Sequence, residues 1–149
     1  MKHPFCALSL AVLFALSPAA MPGVRPAASN DEVEAEKIAS AVAGAFSNDG
    51  FKLRDGRWTG ALASGKQQFI QVNLYAGNEY WFSLGSTGKA KKVAVTVFDE
   101  TGTAIECEPY EKDATAAAGF APGVSGPYYI RVELVEGDAA TFCLLYSYK

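Results

Sequence analysis

Histidine is almost absent from this sequence: the only one in 149 residues is His3. If residues 1–20 are removed as a signal peptide, the remaining chain carries no imidazole. A Ser-His-Asp triad, a Cys-His pair and a histidine-ligated zinc site all require one. No stretch has the spacing of an EF-hand calcium loop either. We therefore predict no catalytic residue, no metal and no cofactor.

The sequence also lacks an apolar run long enough to cross a membrane, which takes roughly 20 residues. Its first apolar run, residues 5–16, follows the basic Lys2 and is followed by small residues. This order is typical of a secretory signal peptide. We predict a signal peptide over residues 1–20, cleaved after Ala19 or Ala20. The protein would then act in the periplasm or outside the cell, without a membrane anchor.

Positive charge is scarce: 13 Lys and Arg stand against 16 Asp and Glu, a formal net charge of −3. Loss of Lys2 with the signal peptide takes the charge to −4 (−3 − 1). A chain without a basic surplus does not attract nucleic-acid phosphates or anionic lipid. We therefore predict neither as a partner.

Cysteine is also rare, and only Cys107 and Cys143 remain once Cys6 leaves with the signal peptide. In an oxidising compartment, an even pair is more often a disulfide than a reactive site. The bond would close a loop of 36 residues (143 − 107), and such a loop is worth roughly 4 kcal/mol. We predict a Cys107–Cys143 disulfide; the alternative is two buried free thiols.

The predicted secondary structure begins with one amphipathic helix. Residues 21–29 show no periodicity and predict a flexible linker. Ser29 and Glu32 have the spacing of a capping box, which predicts a helix over residues 30–48. Its thin, alanine-rich apolar stripe must dock on something to persist, either the sheet of its own domain or a separate partner. The stripe comprises Ala35, Ile38, Ala39, Val42, Ala45 and Phe46.

After Gly50 the hydrophobic period changes from 3.6 to 2, with turn residues about every ten positions. Short strands of this kind bury their apolar faces by stacking two antiparallel sheets. We predict an all-β, jelly-roll-like β-sandwich of eight antiparallel strands over residues 57–149, preceded by the amphipathic helix. The strands are 58–62, 67–74, 79–86, 93–98, 104–110, 115–120, 128–135 and 141–148.

Three stretches together resemble a known family: "GALASGKQQFIQVNLYAGNEYWFSL", "VAVTVFDETGTAI" and "AGFAPGVSGPYYIRVEL". Their order and spacing, from Thr59 to the C-terminus, are similar to the bacterial pre-peptidase C-terminal (PPC) type of β-sandwich. Such domains typically lie behind secreted peptidases as non-catalytic accessory modules, and stand-alone periplasmic relatives are similar too. The resemblance implies a secreted accessory domain.

Outward-facing aromatic side chains are the one positive sign of binding. Phe69, Trp81 and Tyr129 fall in the outward phase of their strands, and Trp58 and Tyr75 lie at strand ends. If they share a face, they form an apolar patch large enough to indicate a protein or glycan partner. The alternative is that the predicted helix covers these rings.

Charged side chains give two further hypotheses. Lys89, Lys91 and Lys92 precede a strongly β-forming run, where lysines discourage edge-to-edge pairing. Paired carboxylates could in principle hydrolyse a glycosidic bond, although solvated surface charge is the simpler interpretation. The acids concerned are Asp99, Glu106, Glu108, Glu111 and Asp113.

Together these observations predict a non-catalytic, secreted or periplasmic binding or accessory module, not an enzyme. The alternatives are a purely structural envelope protein and a hydrolase that uses carboxylates alone.

Overall fold

A computed structural model describes residues 27–149. The predicted signal peptide and most of the predicted linker lie outside the described residues. The described chain is mostly β, with one α-helix before two antiparallel sheets, which confirms the predicted fold class. The elements are α1 (Asn30–Ala45), a 3-10 turn (Ser47–Asp49), β1 (Lys52–Leu53), β2 (Trp58–Leu62), β3 (Gln67–Leu74), β4 (Tyr80–Ser86), β5 (Ala90–Phe98), β6 (Ala104–Ile105), β7 (Glu108–Lys112), β8 (Thr115–Phe120), β9 (Gly126–Gly137) and β10 (Ala140–Tyr148).

The strands form a sandwich of two sheets. In sheet A, β1 and β2 both pair with β10, which is followed by β4, β8 and β7. Sheet B has the order β3, β9, β5, β6. Apolar side chains from the facing sides of both sheets form the main core, as expected for stacked sheets. Its fully buried members include Phe82, Leu84, Val97, Ile130, Val132, Phe142 and Leu144.

The strand count differs from the prediction at two places. The predicted strand 104–110 is divided: β6 pairs with β5 in sheet B, whereas β7 pairs with β8 in sheet A. The chain therefore passes from one sheet to the other at Glu106 and Cys107. The second difference is β1, a strand that the sequence does not predict. It pairs with the end of β10 and has only two residues, which are too few to show a periodicity.

Helix α1 begins at the predicted capping box. The Glu32 N–H donates to Ser29 Oγ at 3.2 Å, and the Ser29 N–H donates to Glu32 Oε2 at 2.9 Å. After the 3-10 turn the chain reverses at Gly50, whose φ of 86° favours glycine. The helix ends three residues before the predicted limit of residue 48. No helix within residues 27–149 is long and apolar enough to span a membrane.

The helix packs against the outer face of sheet A through small residues. Ala35, Ala39 and Ala43 are its buried side chains, so the buried stripe is narrower than the sequence predicts, and Ala45 is exposed. Gly85 of β4 lies directly beneath. A Cβ at Gly85 would collide with the backbone N of Ala39 and would lie 2.8 Å from the carbonyl oxygen of Ala35. The absence of a side chain at Gly85 therefore sets how closely helix and sheet approach.

The predicted disulfide is wrong. Cys107 and Cys143 are both free thiols in the described part of the chain. Cys143 is fully buried beneath α1, against Ala35 and Ala39, on the outer face of sheet A. Cys107 lies between β6 and β7 and packs against the main core inside the sandwich. The two thiols therefore lie on opposite sides of sheet A. The alternative of two buried free thiols holds for Cys143, whereas Cys107 is a free thiol that is only half-buried.

Candidate binding surface

The outer faces of the two sheets differ in what covers them. Helix α1 packs on β4, β10 and β8, and with the helix on its outer face and the main core on its inner face every residue of β4 is buried. On sheet B the outward side chains of β3 remain exposed while the inward ones are buried. Phe69 is the largest of these outward side chains, and it is 54% exposed. The solvent-facing surface of sheet B is therefore the candidate binding surface.

Three aromatic rings and one arginine meet on this face. In the strand register Tyr129 lies opposite Phe98, and Arg131 lies opposite Phe69. The rings of Phe69 and Phe98 contact edge to face, with centroids 5.7 Å apart and planes at 61°. Because residues of one phase project to the same side of a sheet, all four side chains point outward. We call Phe69, Phe98, Tyr129 and Arg131 the aromatic patch.

Arg131 is held in a fixed position within the aromatic patch. Its Cζ lies 5.3 Å from the centre of the Phe98 ring, a cation–π contact. Its Nη2 donates to Thr96 Oγ1 at 3.1 Å and lies 3.5 Å from Glu133 Oε2. Its Nε is buried without a hydrogen-bond partner among the described residues. A guanidinium fixed before binding loses little entropy when a partner docks.

Of the five aromatic residues predicted to bind, Phe69 and Tyr129 come together in the aromatic patch. Trp81 lies on the opposite side of the molecule, on the outer face of sheet A. It is 9% exposed, and Phe46 at the end of α1 stacks on its ring. For Trp81, therefore, the alternative that the helix covers the ring holds.

The other two predicted residues lie outside the aromatic patch. Trp58 begins β2 and packs against the main core, where its ring stacks on Tyr146 with centroids 5.6 Å apart. Tyr75 follows β3 and is 55% exposed. Its backbone N–H donates to Tyr80 Oη at 3.0 Å.

Phe98 and Arg131 are members of the aromatic patch that the sequence prediction did not select. The sequence does indicate that Phe98 faces outward, because side chains alternate along a strand and Val95 and Val97 face inward. What the sequence does not show is that Phe98 and Phe69 face each other across β9, since this depends on strand order.

Two cavities lie on the other side of the molecule, between α1 and the end of sheet A. A cavity of about 510 Å³ is bordered by Phe46, Trp81 and Lys149, and an apolar one of about 370 Å³ by Ile38 and Tyr110. Neither is lined by a residue of the aromatic patch. No group of three or more metal-ligating side chains occurs among residues 27–149.

Two of the carboxylates considered for hydrolysis have other contacts. Asp99 begins the β5–β6 turn, where its Oδ1 accepts from the N–H groups of Thr101 and Thr103, each at 2.9 Å. The hydrogen bond from the Thr101 side chain, supported by these backbone donors, lowers the pKa of Asp99. A general acid needs the opposite shift. Glu111 lies 3.7 Å from Lys92 Nζ in an exposed ion pair.

No family model matches this chain, and no match was found among curated proteins. Among solved structures, the chain is similar to PliG of Aeromonas hydrophila, a periplasmic lysozyme inhibitor of g-type lysozyme. The identity is 17%, the match covers 63% of this chain and 85% of that chain, and the TM-score is 0.46. The resemblance to the PPC type stays a prediction.

Proposed function

We propose that this protein is a non-catalytic binding module of the periplasm or cell exterior, and that the aromatic patch binds a protein. The observation that carries the proposal is the fixed Arg131 among the rings of Phe69, Phe98 and Tyr129 on an outer sheet face.

The composition of the aromatic patch supports binding to a protein. Aromatic residues and arginine are enriched in protein–protein interfaces, and a few of them carry most of the binding free energy. The Arg131 side chain is still 29% exposed, so a partner can contact it without moving it.

The geometry of the rings favours a protein over a glycan. A sugar ring stacks best on a flat aromatic surface, but the planes of Phe69 and Phe98 are inclined at 61°. The patch also lies on an open sheet face, whereas sites for small ligands are usually concave. A protein surface can fit between inclined rings, because its side chains interdigitate with them.

A non-catalytic role agrees with the sequence and with the carboxylates. The chain without residues 1–20 contains no histidine, and the hydrogen bonds to Asp99 favour its ionised form. Export is supported by the signal-peptide pattern of residues 1–20.

Affinity capture with matched variants tests the proposal. The tagged protein is purified under mild conditions from the envelope of the cells that make it, and co-purifying proteins are quantified. We expect a defined protein to co-purify with the wild type. Phe69→Ala and Tyr129→Ala should reduce its recovery at least tenfold, because truncation of a hot-spot residue costs about 2 kcal/mol or more and about 1.4 kcal/mol is a tenfold change in affinity. Val33→Ala, at a helix residue that is also 54% exposed, should leave recovery unchanged.

The same variants separate the alternatives when they are sedimented with insoluble envelope polysaccharide. Polysaccharide binding that Phe69→Ala abolishes would replace the protein partner with a glycan. If nothing is recovered with either probe, the binding role is wrong and the structural role takes its place. Recovery that is equal for wild type and Phe69→Ala would contradict the assignment to the aromatic patch.

A further inference from the structure

We propose that β3 is a self-association edge: two copies of this chain pair their β3 strands antiparallel about a two-fold axis, joining two four-stranded B sheets into one. This inference comes from the strand edges and does not depend on the proposed function.

β3 is an open and regular edge. It is the terminal strand of sheet B, and its eight residues pair with β9 without a register shift. Its sequence, QQFIQVNL, contains no charged residue and no proline. Long, flat, uncharged edges are the ones that readily pair with another strand.

The unpaired backbone groups of β3 belong to alternate residues. The Leu134 N–H donates to the carbonyl of Lys66 at 3.0 Å, so Lys66 occupies a hydrogen-bonded position opposite β9. Hydrogen-bonded and non-hydrogen-bonded pairs alternate along an antiparallel ladder. Phe69, Gln71 and Asn73 therefore direct their N–H and C=O groups away from β9, towards the free edge.

The other edge of sheet B carries the features that normally prevent such pairing. Lys91 and Lys92 of β5 are exposed, and the register of β5 with β9 is irregular near Ala90. The neighbouring β6 is only two residues long. Lysines, bulges and very short strands are known ways of blocking an edge.

The edges of sheet A are also blocked. β7 has charged residues and Pro109, which has no N–H to donate. β1 has two residues. β2 has five, and its Ala61 carbonyl already accepts from Gln68 Nε2 at 2.9 Å. Among the edges of residues 27–149, β3 alone is long, regular and uncharged.

A second copy fits this edge better than an unrelated peptide. Antiparallel self-pairing brings no like charges together, because β3 has none. Recognition of a foreign strand also needs pockets for its side chains, and the cavity at the β5–β6 turn of sheet B is lined by no β3 residue, nor are the two beside α1. The inward row of Ile70 and Val72 would continue across the two-fold axis, and the two aromatic patches would lie side by side on one face.

Sedimentation and light scattering of the purified protein test the proposal from micromolar to millimolar concentrations. We expect a concentration-dependent dimer. Gln71→Lys places charges beside the axis, and Gln71→Pro removes an N–H that β9 does not use, so both should give monomers. Val33→Lys adds the same charge on α1, at an exposed residue, and should remain dimeric.

Hydrogen exchange followed by NMR gives a readout that needs no variant. In concentrated wild-type protein the amides of Phe69, Gln71 and Asn73 should be protected, and dilution should remove that protection. A wild type that stays monomeric throughout would overturn the proposal, as would a dimer that persists in both Gln71 variants. Exchange at these three amides that is independent of concentration would do the same.

Discussion

The rings of Phe46 and Trp81 stack with centroids 4.0 Å apart and planes at 10°, and this contact fixes the end of helix α1 to sheet A. Trp81 also packs with Phe51 and Ala117, so one tryptophan joins the helix, the following loop and the sheet. Together with the packing of Ala35 and Ala39 on Gly85 and Cys143, this contact holds α1 over the outer face of sheet A.

Removal of the Trp81 ring should destabilise the protein strongly. We expect Trp81→Ala to lower the free energy of unfolding by about 3–5 kcal/mol, as is usual for a large buried aromatic residue. Urea denaturation followed by circular dichroism measures the change. Phe69→Ala, which removes a half-exposed ring, should cost about 1 kcal/mol or less. Equal losses in the two variants would contradict the difference between the two faces.

Addition of a methyl group at two glycines should have opposite effects. Gly85→Ala pushes a Cβ into the backbone of α1 and should cost about 1–3 kcal/mol. Gly44→Ala, in the helix with no atom within 4 Å of the new Cβ, should add up to about 1 kcal/mol. Thermal unfolding of both variants, compared with wild type, shows whether each change lowers or raises the stability of the protein. A stable Gly85→Ala protein with unchanged helix content would mean that α1 is not closely packed on the sheet.

The thiols of Cys107 and Cys143 should both be titratable in denaturant without a reductant. We expect two per chain from Cys107 and Cys143. In the folded state Cys143 should react very slowly, because it is fully buried and burial raises its pKa to about 11. A titration that finds no thiol until a reductant is added would restore the disulfide.

The buried thiol also predicts a loss of stability in alkali. Cys143 of the unfolded chain loses its proton near the ordinary pKa of 9.0, whereas the folded protein holds it to about 11. Above pH 9.0 the unfolded state therefore binds fewer protons, and stability falls until the folded thiol ionises as well. Urea midpoints measured across this range should fall more steeply for wild type than for Cys143→Ala. Parallel curves would show that Cys143 makes no such contribution.

Local patterns in the sequence predicted local structure well. The capping box of Ser29 and Glu32, the alternation of β3 and the turn that begins at Asp99 all depend on residues a few positions apart. Their physical causes act over the same short range, so a single sequence contains them.

The predictions that were wrong depend on which strands become neighbours in the sheets. Phe69 and Trp81 show the same outward phase in the sequence, yet they lie on opposite sides of the sandwich because β3 and β4 belong to different sheets. The disulfide prediction rests only on the oxidising compartment and on the even number of cysteines. The strand order places Cys107 and Cys143 apart. Alternation gives the face of a strand but not the sheet to which the strand belongs.

Photo-cross-linking at Phe69 tests the central claim most directly. With benzoylphenylalanine in place of Phe69 in living cells, we expect a covalent adduct to one protein that is not a second copy of this chain, lost when Arg131→Ala is added. The same photo-reactive residue in place of Val33, on the exposed side of α1, should give no such adduct. An adduct from Val33 but none from Phe69 would contradict the claim that the open face of sheet B binds the partner.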